Sequence, residues 1–150
     1  MALQACRAPV QWDHSVNIVI VDDQTSARTM LRHILEDISP ELQVLDFSDP
    51  QAALDWCDQN RPDLLLLDYR MPGIDGLEFA RRFRRTPLHR DIPIILVTVV
   101  GDEPVRQAAL DAGVIDFLVK PVRPRELRAR CRNLLQLRQQ SENVKQRAMS

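Results

Sequence analysis

The chain has 150 residues, 45% hydrophobic and 27% charged, with a formal net charge of −1. That size and balance predict one domain with a real core, and the near-zero charge excludes a global field drawing it to nucleic acid or anionic membrane. No apolar run is long enough to span a bilayer and no secretory signal opens the chain, so a cytoplasmic protein without membrane contact is expected.

Residues 1–14 hold Pro9 and no periodicity, and are expected to form a flexible N-terminal arm. Val16 to Val21 is an apolar, β-branched run that predicts a strand, ending in Asp22-Asp23. A helix follows, with Thr25 or Ser26 as N-cap. Ala27, Met30, Leu31, Ile34, Leu35 and Ile38 recur at helical spacing and predict its buried stripe. Leu42 to Phe47 alternates apolar and polar, as an edge strand does. Asp49-Pro50 reads as a cap followed by proline at the first helical position, opening a helix that carries Ala53, Leu54, Trp56 and Cys57.

Leu64-Leu65-Leu66-Leu67 is a short apolar run between turn signals, the pattern of a central strand buried on both faces. It ends in Asp68. The turn from Met71 to Gly76 leads to a third helix capped by Asp75, with Leu77, Ala80 and Phe83 inward. Ile92 to Thr98 reads as a fourth strand with Pro93 at its start. The helix from about Glu103 to Ala112 offers mainly Val105 and alanines to the core, so it is expected to be loosely held. Gly113 ends it. Ile115 to Val119 is the fifth strand, followed by Lys120-Pro121 and a last helix opened by Pro124, with Leu127, Cys131, Leu134 and Leu135 inward. Cys6, Cys57 and Cys131 read as reduced thiols. His14, His33 and His89 show no metal-ligand spacing.

Strands alternating with helices predict an α/β fold with a doubly wound parallel sheet. The flavodoxin-like order 2-1-3-4-5 would place its crevice between strands 1 and 3. Asp22, Asp23 and Asp68 would then meet at one sheet edge, with Thr98 and Lys120 beside them. Carboxylates about 4 Å apart repel by roughly 4 kcal/mol per pair at an effective dielectric near 20. A hard divalent cation such as Mg2+ relieves this. An anionic ligand with several oxygens would satisfy the ion, the ammonium and the hydroxyl together. A phosphoryl group fits, and aspartate is a nucleophile for its transfer.

Asp22-Asp23, Asp68 in Asp-Tyr-Arg-Met-Pro-Gly, Thr98, Phe117 and Lys120-Pro121, in this order and spacing, resemble the receiver domain of bacterial two-component response regulators. The resemblance implies that Asp68 accepts a phosphoryl group from a sensor histidine kinase. It implies that Asp23, Asp68 and the Arg70 carbonyl hold Mg2+, with Asp22 acting through water. Thr98 and Lys120 would bind phosphoryl oxygens, Phe117 would be the switch aromatic, and Lys120–Pro121 would be cis. On this reading residues 15–137 are the receiver, and residues 138–150 a helical linker towards an output domain outside this chain. The chain itself would be a regulatory phosphoacceptor, not an enzyme.

Val21 to Arg28 and Leu88 to Pro93 also resemble the receivers joined to HD-GYP cyclic di-GMP phosphodiesterases. A DNA-binding output is the other option, and a homodimer is left open. Leu134, Leu137, Ser141, Val144 and Ala148 extend the last helix at coiled-coil spacing. The arginines at 81, 82, 84, 85 and 90, and at 123, 125, 128, 130 and 132, read as solvated helix faces, so no nucleic-acid contact is expected. Val99 departs from the receiver pattern, which has a small side chain there. Two rival readings are a haloacid-dehalogenase-type phosphatase and a receiver that docks without phosphate. The first needs a second aspartate two positions after its nucleophile, where this chain has Gln24 and Thr25.

Overall fold

The computed structural model describes residues 15–99 and 101–149, with side chains up to residue 140. The expected arm at 1–14, and the side chains of Ser141, Val144 and Ala148 in the expected seam, lie outside the described residues.

Five parallel strands form one sheet in the order β2-β1-β3-β4-β5. They are β1 (Val16–Val21), β2 (Leu42–Phe47), β3 (Leu64–Leu67), β4 (Ile94–Thr98) and β5 (Asp116–Val119). The helices are α1 (Thr25–Glu36), α2 (Pro50–Gln59), α3 (Gly76–Arg84), α4 (Glu103–Asp111) and α5 (Pro124–Met149). This is the doubly wound α/β fold expected from the alternating pattern.

The leucine run shows why β3 is central. Each of its four side chains is at most 1% exposed. Leu65 and Leu67 pack with Val19, Val21 and Phe79 on one face, whereas Leu64 and Leu66 pack with Ile18, Ile20, Leu35 and Leu127 on the other. The period-two alternation of strand side chains therefore feeds two separate cores. Burying one such leucine contributes about 1.5–3 kcal/mol, so β3 fixes the sheet edge from which Asp68 projects.

Several details differ from the sequence expectations. The N-cap of α1 is Gln24, with no side-chain cap bond, and not Thr25 or Ser26. Met30 is exposed, because the stripe of α1 turns past it to Leu31 and Leu35. Phe79, absent from the expected face of α3, is fully buried. A short 3-10 turn at Pro87–His89 was not foreseen. Its His89 ring is buried and stacks on Phe83 at 4.3 Å between centroids. Within its span α4 buries only Ala109, fewer residues than expected.

The last helix runs without a break through residue 137. Arg138 is almost buried and pairs with Asp63 at 3.2 Å and with Asp91 at 3.4 Å, which ties α5 to the amino-terminal edge of the sheet. The expected seam starts with Leu134, half-buried, and Leu137, exposed.

Cys57 and Cys131 are buried on opposite faces of the sheet. Burial, with Asp58 nearby, pushes the Cys57 thiol up to about 12. Burial likewise raises Cys131. Thiolate is the reactive form, so neither should react with a thiol reagent in the native state. A Cys6→Ser variant should show no fast-reacting thiol until denaturant is added. A thiol that reacts within seconds under native conditions would contradict this placement.

Candidate functional site

The carboxyl ends of β1, β3, β4 and β5 converge on one edge, and the residues singled out from the sequence sit there in different environments. β1 runs into Asp22, which is 1% exposed, and Asp23, which faces solvent. β3 runs into Asp68, half-buried. One oxygen from each of Asp22, Asp23 and Asp68 lies within 4.8 Å of the others. Thr98, fully buried, ends β4, and its carbonyl accepts from the Lys120 amide at 2.8 Å. That bond brings the β5 end over the cluster.

Among the described residues, Lys120 supplies the one ammonium that pairs with these acids. Its Nζ donates to Asp22 Oδ2 at 2.8 Å and to Asp68 Oδ2 at 3.4 Å. Burial alone would lower its pKa, but the two carboxylates outweigh that and hold the ammonium above its usual range. Asp68 is raised as well, which for a carboxyl favours the neutral form. Burial and the neighbouring Asp22 charge raise its carboxyl, against the opposing pull of Lys120 and of the Tyr69 amide, which donates to Oδ1 at 2.7 Å. One ammonium does not balance three carboxylates. The donor set is all oxygen, which suits a hard divalent cation.

The loop beyond Asp68 folds back on itself. The Gly76 amide donates to the Tyr69 carbonyl at 2.7 Å, and Asp75 caps α3 by accepting from the Glu78 amide at 2.8 Å. A Cβ at Gly76 would lie 2.3 Å from the Asp68 carbonyl oxygen. Arg70 is exposed within this loop, two residues past Asp68.

Phe117 does not join the cluster. It is half-buried on β5, against the core, and the Arg106 guanidinium of α4 lies 4.6 Å from its ring centroid. Arg106 also donates to the Gly101 carbonyl at 3.1 Å, linking the ring to the β4–α4 loop. The Lys120–Pro121 peptide is cis.

Sequence reading gave no role to Gly76, Arg28 or Arg106. The only visible signals were a glycine after the Asp75 cap and an arginine one turn into α1. Their partners lie on other elements and emerge only in the folded chain.

Residues 18–132 match the family profile described as the response regulator receiver domain. The chain is 79% identical over 138 residues to the cyclic di-GMP phosphodiesterase response regulator RpfG of Xanthomonas campestris pv. campestris, covering 92% of this chain and 36% of that protein. It is 41% identical over 118 residues to the phosphate regulon transcriptional regulatory protein PhoB of Pseudomonas aeruginosa, covering 79% of this chain and 51% of that protein. The chain thus spans about a third to a half of the length of these relatives. Among solved structures, chemotaxis protein CheY4 of Vibrio cholerae aligns with a TM-score of 0.74 at 28% identity, covering 79% of this chain and 98% of that one.

Proposed function

This chain belongs to the response regulator receiver domain family, and from that premise we propose that Asp68 is its phosphoacceptor. The observation that carries the proposal is the convergence of three carboxylates within 4.8 Å, with one ammonium touching two of them.

In this reading Asp23, Asp68 and the Arg70 carbonyl hold Mg2+, with Asp22 acting through water. The ion neutralises charge on the cluster and on the incoming phosphoryl oxygens when bound. An Asp68 carboxylate oxygen attacks phosphorus, forming a P–O bond. The P–N bond to the donor imidazole of a sensor histidine kinase breaks, and its electron pair stays on nitrogen. Lys120 and the Thr98 hydroxyl take phosphoryl oxygens. For Lys120 this means exchanging its Asp68 contact for the phosphate. Phe117 then serves as the switch aromatic, since its ring is only partly buried and is held from outside by Arg106. Phosphorylation adds about −1.5 to −2 charge, and α4, with one buried residue, is the helix least able to resist it.

The receiver proper is residues 15–137, and residues 138–150 lead towards an output domain. The relative named as a cyclic di-GMP phosphodiesterase response regulator favours that enzyme class as output. The chain acts in the cytoplasm, contacts no nucleic acid itself, and leaves homodimerisation open. Among the described residues no helix is long and apolar enough to cross a membrane. The test is intact-mass measurement after incubation with acetyl phosphate and Mg2+. Addition of one hydroxylamine-labile phosphoryl group supports the reading, and no addition overturns it in favour of phosphate-independent docking.

Val99 bears on the rate of this step. Its side chain is 70% exposed, immediately after Thr98. At the mouth of the site a β-branched group narrows the approach of donor and water. Val99→Ala should label and lose phosphate a few-fold faster. Unchanged rates in both directions would exclude Val99 as a gate.

A further inference from the structure

Building on the proposed metal-dependent acceptor, we infer that Arg28, with Asp46 behind it, is a positioning residue for the acidic cluster. Asp22 is held on three sides. Gln24 donates its amide to Oδ1 at 2.9 Å, Lys120 holds Oδ2, and Arg28 Nη1 donates to the Asp22 main-chain carbonyl at 2.8 Å. That last bond fixes the peptide joining Asp22 to Asp23. The plane of this peptide sets where the exposed Asp23 carboxylate starts from, and among the described residues no side-chain hydrogen bond steadies Asp23.

Arg28 is itself anchored. Its Nε donates to Asp46 Oδ2 at 3.1 Å and its Nη2 to Thr25 Oγ1 at 3.3 Å. Asp46 sits on edge strand β2, opposite Ile20 of β1. Arg32 holds the same carboxylate and also donates to the Val44 carbonyl at 2.8 Å. The Arg28 side chain is only 14% exposed, and its planar guanidinium fork reaches the carbonyl and the carboxylate at once, as a lysine ammonium could not. The chain of contacts therefore runs from β2 through Asp46 and Arg28 to the Asp22–Asp23 peptide. Groups that orient ligands in this way typically affect metal affinity by about 10- to 100-fold.

Charge alone predicts the opposite sign. Removing a cation near an acidic cluster should tighten binding of another cation, so a loss of affinity would isolate the positioning effect. The experiment titrates Mn2+ into the 150-residue chain and reads free ion by electron paramagnetic resonance, with melting temperature recorded in parallel. Arg28→Ala and Arg28→Lys should each weaken Mn2+ binding about tenfold, and Asp46→Ala should weaken it less. Asp46→Ala should add nothing to Arg28→Ala, because both break one path. Equal or tighter binding by the Arg28 variants, or fully additive losses, would overturn the inference while leaving Asp68 as acceptor intact. No Mn2+ binding by the wild-type chain would overturn both. Should Arg28→Ala not fold, Arg28→Lys and Asp46→Ala decide the matter by the same criteria.

Discussion

Asp68→Asn should take up no phosphoryl group from acetyl phosphate and should melt higher than the wild-type chain at neutral pH without metal. The first effect is absolute, because the amide is not a nucleophile for this transfer and the other two acids are placed differently. Asp22 is buried with both carboxylate oxygens bonded, and Asp23 stands outward on another loop. The second effect follows from linkage. Burial and the charge of Asp22 raise the folded pKa of Asp68 above its ordinary 3.8. Such a group favours the fold while protonated, and the benefit is lost as pH rises from 3.8 through the raised value. At neutral pH the ionised Asp68 therefore costs stability, and the amide removes that cost. Single stabilising substitutions commonly gain about 0.5–2 kcal/mol, a few degrees for a chain of this size. The advantage should fade below about pH 4, where the wild-type carboxyl is neutral in both states. It should also shrink when Mg2+ is added, since the ion stabilises only the protein that binds it. A variant that melts lower than wild type at pH 7 would refute the electrostatic account.

Gly76→Ala should be among the most damaging single-methyl changes in this chain. The new carbon would lie 2.3 Å from the Asp68 carbonyl oxygen and 3.0 Å from Leu96 Cδ1. The first neighbour is main chain and cannot rotate away. Either α3 shifts outward, losing the bond from the Gly76 amide to Tyr69, or the Asp68 peptide moves and carries the Asp68 carboxylate with it. Overpacking of this kind typically costs about 1–3 kcal/mol, and this contact belongs at the upper end. Phosphoryl uptake should fall more than stability explains, because the displaced residue is the proposed acceptor. A Gly76→Ala protein with wild-type melting and labelling would show that the loop absorbs the methyl elsewhere. Gly73→Ala makes a useful comparison. Nothing lies within 4 Å of its added carbon, so its cost arises from its positive φ of 86°, and the acceptor should be undisturbed.

The sheet was legible because its information is local. Four consecutive leucines bounded by turn residues can satisfy only a strand with two buried faces, and the strand order follows once five such runs alternate with helices. Asp22, Asp23, Asp68, Thr98 and Lys120 were legible for the same reason, each being the residue at which an apolar run stops. What could not be read was long-range. Met30 fits the helical period of α1, yet the buried stripe runs through Leu31 and Leu35 and leaves it exposed. Phe79 breaks the expected stripe of α3 but is fully buried in the core that α3 shares with Ala53 and Cys57 of α2 and Ala109 of α4. Arg28 was given no structural partner from the sequence, because Asp46 reaches it only through the placement of β2. Gly76 looked like a turn residue, and only the approach of the Asp68 carbonyl shows why no side chain fits there.

The pairing of the nearly buried Arg138 with Asp63 and Asp91 gives α5 a fulcrum. Beyond it the helix extends to Met149, about 16 Å at 1.5 Å per residue. A tilt of roughly 10° at that pivot would sweep the far tip through about 3 Å over such a length. A shift at the Pro124 end of α5, 14 residues before that pivot, would therefore move the far tip, 11 residues beyond it, by a comparable amount in the opposite direction.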